Sequence, residues 1–152
     1  YEYVAKAETV ADDAAVEPLS TTILVLVGGV NFGTIRALAF AESLRPDRTV
    51  AVSVALEDGD AERIRAEWAA HHLDLPLEVI DSPYRDLTGP ILDYIDRLVA
   101  GYPGTVVTVI IPELVVKRWW EQILHNHSGL ALKARLHFRR DTIVVSVPIQ
   151  IE

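Results

Sequence analysis

Three short stretches carry side chains that could do chemistry, and each fits the handling of an anion or a flat ring. Gly28-Gly29-Val30-Asn31-Phe32-Gly33 follows an apolar run and opens a helical pattern. Its glycines let backbone N–H groups approach a phosphate, and a helix N-terminus favours negative charge. The same residues also read as a tight turn in which Asn31 and Thr34 are caps. Ser82-Pro83-Tyr84-Arg85 sets an aromatic ring beside a guanidinium, a pair that can stack a base and hold a phosphate. The alternative is a proline turn with Arg85 paired to Asp81 or Asp86. His125-Asn126-His127 with Glu113 raises a metal site. However, histidines at i and i+2 point to different helical faces, so capping of a helix end fits better. The adjacent His71 and His72 diverge in the same way.

Other chemistries find little support. The serines lack evident histidine and acid partners for a hydrolase triad. Paired catalytic carboxylates do not stand out, so the reading is a binding module and not an enzyme. The first stretch is not G-x-G-x-x-G, and no P-loop Lys-Ser/Thr follows it. Lys117, Arg118, Lys133, Arg135, Arg139 and Arg140 form a basic region in an otherwise acidic chain of formal net charge −8. That overall charge disfavours nucleic acid and anionic membranes as partners.

The elements that must position these residues alternate. Apolar runs at 23–27, 49–56, 77–80, 106–111 and 143–147 read as strands, the central ones buried on both faces. Between them, Phe32, Ile35, Leu38, Ala39 and Leu44 recur at helical spacing. So do Ala61, Ile64, Trp68 and His71 or His72. Leu87, Ile91, Leu92, Ile95, Leu98 and Val99 make the cleanest stripe, with Pro90 in its first turn. After Pro112-Glu113 a further amphipathic helix runs through Trp119, Trp120, Ile123 and Leu124, one tryptophan packing on the sheet and the other left for an interface. Beyond Gly129, alternation (Leu132, Ala134, Leu136, Phe138) competes with a short basic-faced helix, and helix is preferred. Strand–helix alternation with short connections predicts an open, five-stranded, mostly parallel α/β sheet of order 3-2-1-4-5, helices on both faces. That order brings residues 28–31 beside Pro112-Glu113 at the switch point, where such sheets place ligands.

The chain has 152 residues, no cysteine and no methionine. This implies a single core-bearing domain over 20–152, no disulfide framework or thiolate metal site, and a piece of a longer polypeptide. Residues 1–19, acidic and alanine-rich, read as a linker or docked arm. No apolar run approaches the roughly 20 residues of a membrane span.

The run VVTVIIPELVVKRWWEQILHNHSGLALKARLHFR, with SPYRDLTGPILDYID upstream, resembles the cytosolic C-terminal domain of bacterial APC-superfamily permeases, the KimA-type, KUP-like potassium importers. The resemblance spans about residues 20–151. It implies a universal-stress-protein-like fold following a transmembrane permease, a cytoplasmic location at the plasma membrane, and a homodimer. It also implies regulation by cyclic di-AMP, a nucleotide second messenger. On that expectation Tyr84 and Arg85 lead the ligand contacts, followed by Gly28, Gly29 and Asn31. Ser53 or Val54 meets a base edge, and His125 or Asn126 closes the site, with the two-fold ligand on a dimer axis. Two departures stand out. Strand four runs into Pro112-Glu113-Leu114-Val115 instead of the glycine-rich phosphate loop of ATP-binding universal stress proteins, which counts against ATP; the alternatives are an ATP- or AMP-binding universal-stress-type module and a dimerisation domain without a small ligand. His127 also stands where relatives carry glutamine.

Overall fold

The computed structural model describes residues 19–82, 86–113, 128–137, 139 and 142–147. Residues 1–18, Tyr84, Arg85, Trp119, Trp120, His125, Asn126 and His127 therefore lie outside the described residues. The elements are β1 (Ser20–Leu26), α1 (Phe32–Ser43), β2 (Arg48–Ala55), α2 (Asp60–Ala70), β3 (Leu77–Asp81), α3 (Thr88–Gly101), β4 (Thr105–Pro112), α4 (Ser128–His137) and β5 (Thr142–Val147). The sheet has the order β3-β2-β1-β4-β5, and every pairing is parallel. This is the expected topology.

The two faces follow from strand alternation. Leu24, Leu26, Val52, Val54, Val107, Val109 and Ile111 point to one side, where Leu87 just before α3, Ile91 and Ile95 of α3, and Leu132 and Leu136 of α4 cover them. Ile23, Val25, Val27, Ala51 and Ile110 point to the other, against Ala37, Leu38 and Ala41 of α1 and Trp68 of α2. The outward crossovers thus lie on one face and the return crossovers on the other, as right-handed connections require. In α4, Leu132 and Leu136 are buried while Ala134 is exposed. The spacing of four, and not the alternation, is what the fold uses.

One helix differs from its sequence pattern. The face of α1 that meets the sheet is Gly33, Thr34, Ala37, Leu38 and Ala41. Phe32, Ile35, Phe40 and Leu44 are exposed. Small side chains around Leu38 let the helix approach the sheet closely, and the other bulky ones are turned outward. Likewise, α2 buries Ala61, Ile64 and Trp68, whereas His71 and His72 lie just past its end and are exposed.

The N-terminal edge of the sheet is held by polar contacts. Thr22 and Thr105 hydroxyls lie 2.9 Å apart in a buried pair. Arg48 donates to Ser20 Oγ at 2.6 Å, and its guanidinium sits 3.7 Å from the centre of the Tyr102 ring. Each buried hydroxyl there has a partner, so this end is structural.

Candidate functional site at the carboxyl ends of the strands

The β1–β4 register, Val25 opposite Ile110, carries the β1–α1 loop to Pro112-Glu113. The expected switch point therefore forms. Gly28 and Gly29 are buried and Asn31 is half-buried. Asn31 is the N-cap of α1: its Oδ1 accepts from Thr34 N–H at 3.0 Å, and its carbonyl accepts from Ile35 N–H at 3.1 Å. Thr34 Oγ1 donates to Gly29 O at 2.6 Å. Val30 N–H donates to Glu67 Oε2 at 2.9 Å. Asn31 from the loop and Glu67 from α2 thus take donors that the sequence offered to a phosphate.

Glu67 is held in turn. Arg63 donates to Glu67 Oε1 at 3.3 Å and pairs with Asp60 Oδ1 at 3.5 Å. Asp60 Oδ2 accepts from Leu56 N–H at 3.2 Å and Glu57 N–H at 3.1 Å. The turn between β2 and α2 closes through Gly59, whose φ of 85° lies in the left-handed region that glycine enters without steric cost. A carboxylate–guanidinium–carboxylate strap therefore links the β1–α1 and β2–α2 loops.

Ser53 and Val54 are both buried near the end of β2. Val54 fills the core on the α3 side. Ser53, by alternation with Ala51, lies on the α1–α2 side, and its Oγ is fully buried with no hydrogen-bond partner. Removing an unsatisfied buried hydroxyl is favourable. Ser53→Ala is expected to raise stability by about 1 kcal/mol, or about 2–4 °C in Tm for a domain of this size. Thermal unfolding checks this, and an unchanged or lowered Tm would show that the hydroxyl is satisfied.

The ends of the loop that carries Tyr84 and Arg85 are fixed. Ser82 Oγ donates to Asp86 O at 2.7 Å, and Asp86 N–H donates to Ser82 Oγ at 3.0 Å. Asp86 Oδ1 accepts from Thr88 N–H at 3.1 Å, which caps α3. Ser82 N–H donates to Ala55 O at 3.0 Å, joining this loop to the end of β2.

Next to the strap lies a cavity of about 360 Å³ lined by Glu57, Asp58, Gly59, Ala61, Glu62, Arg65 and Asp81. Four carboxylates face one guanidinium there, a poor setting for a phosphate. Among the described residues no group of three His, Asp or Glu could hold a metal ion. In the basic region, Arg139 is half-buried and pairs with Asp96 of α3 at 2.6 Å. Lys117, Arg118 and Arg140 lie outside the described residues. Burial first, and then Glu78, raise the pKa of the Tyr94 phenol on α3 above its usual value.

Sequence reasoning missed two residues. Glu67 lies 37 positions from its Val30 partner, and no local pattern signals the contact. Phe32 belongs to the helical stripe by spacing, yet it is 69% exposed at the start of α1, beside Asn31. An exposed ring at that position can stack a flat apolar ligand.

A family model for the KimA potassium transporter C-terminal domain matches residues 19–149. The chain belongs to that family. It is similar to the "Potassium transporter KimA" of Bacillus subtilis (strain 168), with 27% identity over 150 residues. That alignment takes in 97% of this chain and 24% of the relative, so the chain spans about a quarter of the length of that curated protein. Among the described residues no helix is long and apolar enough to cross a membrane.

Proposed function

We propose that the chain is the cytosolic regulatory domain of a membrane permease. In this reading it binds cyclic di-AMP and alters transport by the attached transmembrane portion. The observation that carries it is membership of the KimA C-terminal domain family across residues 19–149. The relative's name makes potassium the first transported substrate to test, with amino acids second. A sheet whose strand ends meet at a switch point supports binding of a small ligand there. Tyr84 stacks an adenine and Arg85 holds a phosphate. Asn31 and the backbone at Gly28 and Gly29 also meet the ligand, and His125 or Asn126 closes the site. Two protomers share the two-fold ligand.

Isothermal titration calorimetry of the chain with cyclic di-AMP tests the proposal. The expected result is saturable binding at one ligand per two protomers, weakened at least about tenfold by Arg85→Ala, since each charge-assisted phosphate contact is worth about 1.5–3 kcal/mol. No heat at high micromolar ligand sinks it. Competition with ATP and AMP separates a universal-stress-type mononucleotide module.

A second reading, a dimerisation domain without a small ligand, is favoured by the outward apolar residues Phe32, Ile35 and Phe40 of α1 and Leu44 at its C-cap. A helix apolar on both faces fits burial on both. This reading expects a dimer by light scattering and no thermal shift with any nucleotide.

A further inference from the structure

We infer that Glu67 is a specificity-determining residue that keeps phosphate off the β1–α1 loop. Its carboxylate sits on Val30 N–H at 2.9 Å, where a phosphate oxygen would otherwise be received. Arg63 holds the other oxygen at 3.3 Å, and the strap continues through Asp60 to the β2–α2 turn. The neighbouring donor, Thr34 N–H, is taken by Asn31. An incoming phosphate must displace Glu67 from the amide and also face its charge at close range, in a partly buried setting where screening by water is reduced. An uncharged group that donates a hydrogen bond, such as a ribose hydroxyl or an adenine amino group, meets no such repulsion.

For a cyclic dinucleotide, the ligand proposed above, this places the nucleoside part of the molecule at Gly28, Gly29 and Asn31. The phosphates must be gripped elsewhere. That consequence rests on the nucleotide reading, whereas the exclusion of phosphate by Glu67 does not.

The test compares the chain with its Glu67→Gln and Glu67→Ala variants. Pyrophosphate and ATP are titrated while the Val30 amide resonance is followed by NMR. Glutamine keeps an acceptor for Val30 N–H and removes only the charge. The expected result is a Val30 response in both variants at concentrations at least about tenfold lower than in the parent chain. Equal responses in parent and variants, or none in any of them, overturn the inference. A gain in Glu67→Ala alone also overturns it, because space and not charge would then be the barrier. A separate titration of the parent chain with cyclic di-AMP reports on the proposed ligand. A null there removes that ligand and leaves the pyrophosphate comparison intact.

Discussion

Replacing Trp68 by alanine is expected to destabilise the chain by about 3–5 kcal/mol, a loss of roughly 6–20 °C in Tm. Trp68 is 7% exposed and belongs to the core between the sheet and the two outward-crossover helices. Leu73, Leu75 and Leu77 pack against the same core. Its indole Nε1–H donates to Leu75 O at 3.0 Å, fixing the segment that leads from α2 into β3. Truncation therefore removes a large apolar surface, leaves a cavity, and frees a carbonyl. Trp68→Phe keeps most of the ring and loses the hydrogen bond, so it should fall well short of the alanine loss. Circular dichroism melts of both variants check the ordering. Glu67 immediately precedes Trp68 in α2, so the docking of Trp68 also sets the reach of that carboxylate to Val30. Hydrogen exchange at the Val30 amide should accelerate in Trp68→Ala beyond what is seen at amides inside β4. Protection unchanged at Val30 would separate the strap from the core.

The strands were the most legible part of the sequence, for a physical reason. Central parallel strands are buried on both faces, so Ile23, Leu24, Val25 and Leu26 form an unbroken apolar run with no solvent face to interrupt it. The α3 stripe was legible because its two faces differ: Leu87, Ile91 and Ile95 are buried and Asp93, Asp96 and Arg97 are exposed. Helix α1 misled because it is apolar nearly all round. In that case side-chain size does not mark the buried face, and the need for close approach to β1 and β4 selects glycine, threonine and alanine around Leu38. Asn31 was readable as a cap because capping is local: acceptor and donor are three residues apart. The strap was not, because Glu67 meets Val30 only after the β1–α1–β2 crossover has brought α2 beside the first loop. Asp86 shows the intermediate case. Its carboxylate accepts from the N–H groups of Thr88 and Gly89 at the start of α3, a local contact, whereas a pair with Arg85 lies outside the described residues.

The inverted face of α1 leads to the second large effect. Ala41→Leu is expected to destabilise by about 1–3 kcal/mol, and Ile35→Ala on the same helix to change stability by less than about 0.5 kcal/mol. Ala41 is fully buried, among the small residues that let α1 lie close to the sheet. Three added heavy atoms there have no space, so the helix must lift or neighbouring side chains must leave their preferred rotamers. Ile35 is 41% exposed, and its loss leaves no cavity. The size rule read from spacing alone gives the reverse order, with Ile35 in the core and its truncation the costly change. Denaturant midpoints of the two variants decide between these orientations. A larger loss in Ile35→Ala than in Ala41→Leu would return Phe32 and Ile35 to the core. It would also remove the exposed ring at the start of α1 as a stacking surface. If the orientation holds, Phe32→Ala should leave the midpoint nearly unchanged. Any weakening of nucleotide binding in that variant then reports a contact with the ligand and not a disturbed fold, because α1 is docked through Leu38 and its small residues and not through Phe32.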